Sequence, residues 1–224
     1  MRRFCLLVVA KAPVAGLAKT RLSPPATPRE AATIAAAALL DTLQAVGATP
    51  GAVPVVALTG DLSAAQEAAV LRERLADLTV LPQRGNGFAD RLANAHADVA
   101  LRFPGVPVVQ IGMDTPQVTP ALLGGLAARL ATDPAVLGDA ADGGWWAVGL
   151  RDPAHAEALR KVPMSRADTA ARTRAALTSR GLRVATGPRL TDVDTMADAV
   201  AVAQGLPGTR FATAVLVATA GALG

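Results

Sequence analysis

The chain has 224 residues, 51% of them hydrophobic, with a formal net charge of +4, one cysteine and no tyrosine. That length suits one sizeable α/β core rather than two full domains, and the apolar content excludes general disorder. A lone Cys5 excludes an internal disulfide and a Cys-based zinc site, and the lack of a basic run or aromatic-interleaved basic stripe speaks against nucleic-acid binding.

Residues 4–10 form an apolar run that predicts a buried parallel strand. Behind Met1-Arg2-Arg3 the run faintly resembles a secretory signal. It is at the short limit for one, and Lys11 interrupts it where a cleavage region would begin. A first strand accounts for the same residues, and a cytoplasmic location is expected. The run breaks into a loop with Pro13 and Gly16 that carries Lys11, Lys19 and Arg21, and a helix starts near Pro28. Strand, basic loop and helix is how an α/β protein builds an anion site at the carboxyl end of its first strand. Read alone, the loop is equally an ordinary basic surface loop. It is not a P-loop, because Ala18 stands where that motif needs glycine before the lysine.

Further apolar runs predict strands at 53–58, 106–113, 135–137 and 145–150, with weaker ones at 79–82 and 182–185. Ala/Leu-rich patterns predict helices at 28–46, 63–77, 87–103, 119–132, 152–161, 166–180 and 195–204. The alternation implies one domain over 1–224, with a mostly parallel central sheet and helices on both faces. The Pro/Gly clusters at 47–54 and 104–107 read as connections. His96 and His155 fall in helical patterns and read as packed or surface residues. The segment 211–223 is too short to span a membrane. It suits a terminal helix or strand covering the core, or a partner surface in a homo-oligomer; the role of 210–224 is left unassigned.

Open sheets of this kind bind ligands beyond the carboxyl ends of their strands. By that rule the segments 11–21, 83–87, 114–116 and 139–144 should converge, and three acidic landmarks stand out along the chain. Asp114 ends the apolar run Val108-Val109-Gln110-Ile111-Gly112-Met113. A solitary carboxylate at that place needs a partner, water or a metal, and hard divalent cations take one or two carboxylates plus substrate phosphates. Asp114-Thr115-Pro116 is also good turn chemistry. Asp192 and Asp194, two apart, face the same way in extended chain; Asp194 with Asp198 also fits a helix cap and first turn. Asp142-Gly143-Gly144-Trp145-Trp146 could bring backbone, a base and an aromatic ring to a ligand, or could be a glycine hairpin with one Trp in the core.

Together these segments resemble a bacterial family of assigned glycosyltransferases with a GT-A-type, nucleotide-diphospho-sugar transferase fold. The family is sometimes labelled rSAM/selenodomain-associated transferase, and some members arsenosugar-biosynthesis glycosyltransferases. The matching blocks are Ala10-Lys11-Ala12-Pro13 through Lys19-Thr20-Arg21-Leu22, Gln83-Arg84-Gly85 with Phe88-Ala89-Asp90-Arg91-Leu92, Ile111 to Pro116, Asp142 to Leu150, and Asp192 to Thr195. The resemblance departs at Trp145-Trp146, where a Tyr is usual, at Pro163-Met164-Ser165-Arg166, where relatives show Trp-Ser-Thr, and at Asp139, where proline is common. It implies that Lys11, Gly16, Lys19 and Arg21 hold phosphates, with Gln83 and Gly85 near the nucleoside. It implies Mg2+ or Mn2+ on Asp114 with Asp194 and, less directly, Asp192. Gly143, Gly144 and Trp145 then lie on the acceptor side, and Asp142 is the candidate base. The expected partners are a nucleotide-sugar donor and a small-molecule acceptor. The alternatives are nucleotidyl transfer with release of pyrophosphate and nucleotide binding without catalysis.

Overall fold

The structure is a computed structural model that describes residues 3–221; the first two residues of the signal-like start and residues 222–224 of the terminal segment lie outside the described residues. The strands are β1 (Phe4–Lys11), β2 (Ala52–Thr59), β3 (Thr79–Pro82), β4 (Val108–Gly112), β5 (Ala135–Asp139), β6 (Trp145–Leu150) and β7 (Val184–Thr186). The α-helices are α1 (Pro28–Gly47), α2 (Ala68–Ala76), α3 (Phe88–Arg102), α4 (Pro120–Arg129), α5 (Thr169–Thr178), α6 (Met196–Gln204) and α7 (Arg210–Gly221).

All seven strands join one sheet in the order β3-β2-β1-β4-β6-β5-β7. The pairings are parallel except that β6 runs antiparallel to both β4 and β5. Alternation along β1 builds the two faces. Leu6, Val8 and Ala10 pack with Leu39 and Leu43 of α1, Leu71 of α2 and Leu123 of α4. Cys5, Leu7 and Val9 face the other way, toward Leu92 and Val99 of α3 and Leu177 of α5. The expected α/β class, a mostly parallel sheet covered on both faces, is the observed one.

The terminal segment forms α7, which lies on α1 rather than on the sheet. Alanine-rich α1 is apolar on two sides: Ile34 and Ala38 turn away from the sheet toward Met196, Phe211 and Val215. Asp41 fixes the start of α7 by accepting a hydrogen bond from Phe211 N at 2.8 Å. No helix among the described residues is long and apolar enough to cross a membrane.

Three expected helices differ. The 63–77 pattern splits into a 3-10 turn, Leu62–Ala64, and α2, because Glu67 takes a left-handed conformation (φ 54°) between them. Residues Pro153–Lys161 wind as a 3-10 helix. The helix expected from 166 begins only at Thr169. Ser165 has a positive φ of 59°, and the Arg166 N–H donates to Thr169 Oγ1, so these residues form a loop.

Candidate functional site

The strand order turns outward in opposite directions from β1 and β4, which makes a crevice at their carboxyl ends. A cleft of about 530 Å³ opens there. Its centre is Lys19, which takes a left-handed conformation (φ 47°, ψ 44°) at the entry to a 3-10 turn, Thr20–Leu22. That bend aims Lys19 Nζ at two carboxylates: it donates to Asp114 Oδ2 at 2.9 Å and to Asp194 Oδ1 at 3.0 Å. Arg21 Nη1 donates to Asp194 Oδ2 at 3.2 Å. Burial of Lys19 works against its charge, but Asp114 and Asp194 outweigh it and the net direction is upward, so the amine stays an ammonium.

Two hydrogen bonds, one from backbone and one from a side chain, bring the acidic segments together. Val193 N donates to the Asp114 carbonyl at 2.9 Å, and Gln117 Nε2 donates to the Thr191 carbonyl at 2.6 Å. Asp194 is not the helix cap that its spacing allows. Thr195 caps α6, with Asp198 completing a reciprocal capping box, and this leaves the Asp194 carboxylate to the two cations. Asp114 is not a cap either, since Thr119 caps α4.

Asp192 sits behind this pair. Its Oδ1 is buried without a hydrogen-bond partner. Burial pushes its carboxyl up to about 7, with Asp114, Asp142 and Asp194 adding to the shift and Lys19 opposing it. Hard oxygen donors in negative excess, one of them unpartnered, suit a divalent cation. The amine of Lys19 now lies between two of them, and no group of three or more such side chains stands at ligating spacing among the described residues.

The other expected residues divide. Lys11, Gln83, Asp142, Gly144 and Trp145 line the cleft. Lys11 Nζ donates to the Leu17 carbonyl at 2.7 Å and so braces the loop. Gln83 Nε2 donates to the carbonyls of Ala10 and Ala57, at 2.7 and 2.9 Å. Its amide is thereby locked, with only the oxygen left to present. Asp142 Oδ1 accepts from Gly144 N at 2.7 Å, as a glycine hairpin requires, and the same turn borders the cleft. Trp146 is the core tryptophan, 2% exposed, with Nε1 on the Pro188 carbonyl at 2.9 Å.

Gly16, Gly85 and Gly143 are not part of the cleft wall. A Cβ on Gly85 would meet Asp90 Cβ at 2.9 Å, and one on Gly143 would run into the Ala167 carbonyl. Their small size serves packing on α3 and on the loop before α5. The helix that follows the basic loop takes no part in the cleft. Thr27 and Glu30 satisfy the α1 N-terminus with their own capping box, and no residue of its first turn reaches the cleft.

Sequence reasoning assigned no role to Arg91, Gln110, Ser165 or Arg166, yet all four line the cleft. Gln110 is 2% exposed on β4, and its Oε1 is buried without a partner. The available signal was a polar residue in the middle of an apolar strand.

A family model described as "Uncharacterized protein conserved in bacteria" (DUF2064) matches residues 42–166. None of the curated proteins matches the chain. Among solved structures, a provisionally assigned nucleotide-diphospho-sugar transferase from Desulfovibrio desulfuricans G20 is 22% identical. The match covers 98% of this chain and 96% of that one, with a TM-score of 0.85. The 4-diphosphocytidyl-2C-methyl-D-erythritol synthase of Anaerococcus prevotii DSM 20548 is 10% identical over 91% of this chain and 96% of its own, with a TM-score of 0.59. A manganese complex of Rv0371c from Mycobacterium tuberculosis H37Rv is 19% identical over 87% and 95%, with a TM-score of 0.50. At these identities the likeness is one of fold. The chain has the nucleotide-diphospho-sugar transferase fold and belongs to the DUF2064 family.

Proposed function

We propose that the protein transfers a sugar from a nucleoside-diphosphate donor to a small-molecule acceptor, with a divalent metal. The observation that carries this reading is the meeting of Lys19 and Arg21 with Asp114 and Asp194 at the β1/β4 crevice. Cations beside hard carboxylates suit a diphosphate and the ion that accompanies it. Lys11, Lys19 and Arg21 hold the phosphates, and the free oxygen of Gln83 faces the nucleoside. Asp114 and Asp194, with Asp192, hold Mg2+ or Mn2+ once the Lys19 amine swings to phosphate. When bound, the ion neutralises charge on the departing diphosphate. The manganese in the Mycobacterium tuberculosis complex supports this. In the transfer, the acceptor oxygen bonds to the anomeric carbon, the bond to the diphosphate breaks, and the hydroxyl proton passes to Asp142.

A second reading uses the same cleft. The fold shared with the diphosphocytidyl-methylerythritol synthase favours nucleotidyl transfer to a phosphorylated acceptor, with pyrophosphate leaving. A thermal-shift panel of UDP-, GDP- and dTDP-sugars against nucleoside triphosphates, with and without Mn2+ or Mg2+, tests both. A ligand at 100 times its Kd should stabilise by about 2.7 kcal/mol. Asp114→Ala should remove the metal-dependent part; an undiminished shift in that variant sinks the metal assignment. Release of nucleoside diphosphate favours glycosyl transfer, and release of pyrophosphate favours the second reading.

A further inference from the structure

Two cationic groups stand on opposite walls of the cleft. Lys19 and Arg21 come from the connection after β1, anchored through Ala18 in the core on the α1 side of the sheet. Arg91 and Arg166 come from the other face. Arg91 is in the first turn of α3, next to Leu92, and Arg166 is on the loop leading to α5, four residues before buried Ala170; Leu92 and Ala170 belong to the second core. The first pair is matched by Asp114 and Asp194. The second has no carboxylate or hydrogen-bond partner for its guanidinium groups among the described residues, and Arg91 Nε is shut off from solvent with nothing to donate to. A buried, unpartnered donor on a cation is costly unless a ligand supplies the acceptor.

The loop carrying Arg166 is held in a set conformation. The Thr169 hydroxyl donates to the Pro163 carbonyl and accepts from Arg166 N, both at 3.0 Å. Ala170 N donates to the Gly143 carbonyl at 3.0 Å, docking the loop on the glycine turn. Between them Ser165 is kept at φ 59°. A non-glycine residue held there costs free energy, and such strain gathers where a side chain must be placed. Arg166 follows directly.

We propose that the second substrate of this cleft carries an anionic group, a carboxylate or a phosphate monoester, gripped between Arg91 and Arg166. The inference rests on reading the cleft as that of a transferase, with the donor's phosphates on the Lys19 wall. Guanidinium groups suit both anions, because their forked donors match paired oxygens. Acceptors of this class carry a carboxylate or a phosphate monoester, which excludes neutral sugars.

Trp145 lines the same cleft, and buried Trp146 gives a steady background, so tryptophan fluorescence reports occupancy. The full chain is titrated with inorganic phosphate, glucose 1-phosphate, glucuronate and glucose. At least one anionic probe is expected to bind saturably and at least tenfold more tightly than glucose. Arg166→Gln and Arg91→Gln should each weaken that binding tenfold or more. Both should leave the thermal shift by UDP-glucose or CTP within twofold of the parent. Glucose 1-phosphate against glucuronate separates phosphate from carboxylate. Should Arg91→Gln fail to fold, Arg166→Gln on its exposed loop decides. The inference is overturned if no anionic probe binds, if glucose binds as well, or if Arg166→Gln changes nothing. It is also overturned if the variants lose the nucleotide rather than the anion. A parent that binds the anion through these arginines but no nucleotide defeats the transferase reading and leaves the anion site standing.

Discussion

Lys19 and Asp114 lie 95 positions apart in the chain and meet at 2.9 Å, with Asp194 completing the contact from a further segment. One ammonium thus balances two carboxylates, and a third, Asp192, is close enough to feel both. Lys19→Met should therefore destabilise the metal-free protein by about 1–2 kcal/mol, a half-shielded ion pair being worth less than a deeply buried one. Mn2+ should then stabilise the variant more than the parent, because its oxygens are unoccupied. Urea unfolding in EDTA and in Mn2+ measures both. Equal metal responses in the two proteins would count against the shared site.

Asp192 gives a pH signature in metal-free protein. Its folded pKa lies near 7, above the ordinary 3.8. Between those values the folded chain keeps a proton that the unfolded chain has released. The contribution to stability is thus full below about pH 4 and is lost as pH rises through 7. Asp192→Asn should match the parent near pH 4 and exceed it by about 1–3 kcal/mol at pH 8. Parallel pH curves for the two proteins would rule the assignment out.

His96 acts in the opposite sense. Complete burial pushes its pKa down to about 4 from 6.5. Below pH 6.5 the unfolded chain takes up a proton that the folded chain refuses, so stability falls as pH drops from about 6.5 to about 4. The slope should approach about 1.4 kcal/mol per pH unit. It is best read in the Asp192→Asn background, where the opposing slope is gone. His96→Gln should flatten the curve across that window, and an unchanged slope would place the proton uptake elsewhere.

Gly143 has φ +87°, and a side chain there would collide with the Ala167 carbonyl. Gly143→Ala should cost about 1–3 kcal/mol through backbone strain and displacement of the 163–169 loop. Binding of anionic sugars should suffer more than binding of nucleotide, since the loop carries Arg166. Gly16→Ala is the control: it also has positive φ (+75°) but nothing within 4 Å of an added Cβ. Equal losses of anion binding in both variants would mean that the Ala167 contact is irrelevant.

The two faces of β1 could be read from residues 4–10 because a fully apolar run with helices on both sides has one physical solution. The gathering of Lys19, Arg21 and Asp114 followed from the rule that strand ends converge, whereas Asp192 and Asp194 were joined to them through the family resemblance. Details set by single side chains did not follow. Thr195, not Asp194, caps α6, because a hydroxyl with an acid three residues later forms the reciprocal box. Glu67 interrupts a helical pattern, and Ser165 precedes one that starts late, through left-handed backbone that nothing in their residue types requires. Arg91 and Arg166 were given no role by the sequence, and only the folded chain brings both to one cleft.

A single reversed strand has a lasting effect on this molecule. Since β6 points against its neighbours, the rim receives the beginning of that strand rather than its end, delivered by the tight hairpin between Asp139 and Trp145. Pairing is complete on either side of the hairpin tip, from Gly138 opposite Ala147 inward. Residues exchanged at the tip would therefore reshape what the pocket admits while the scaffold beneath stays in register, provided that Gly143 and its close approach to Ala167 are kept.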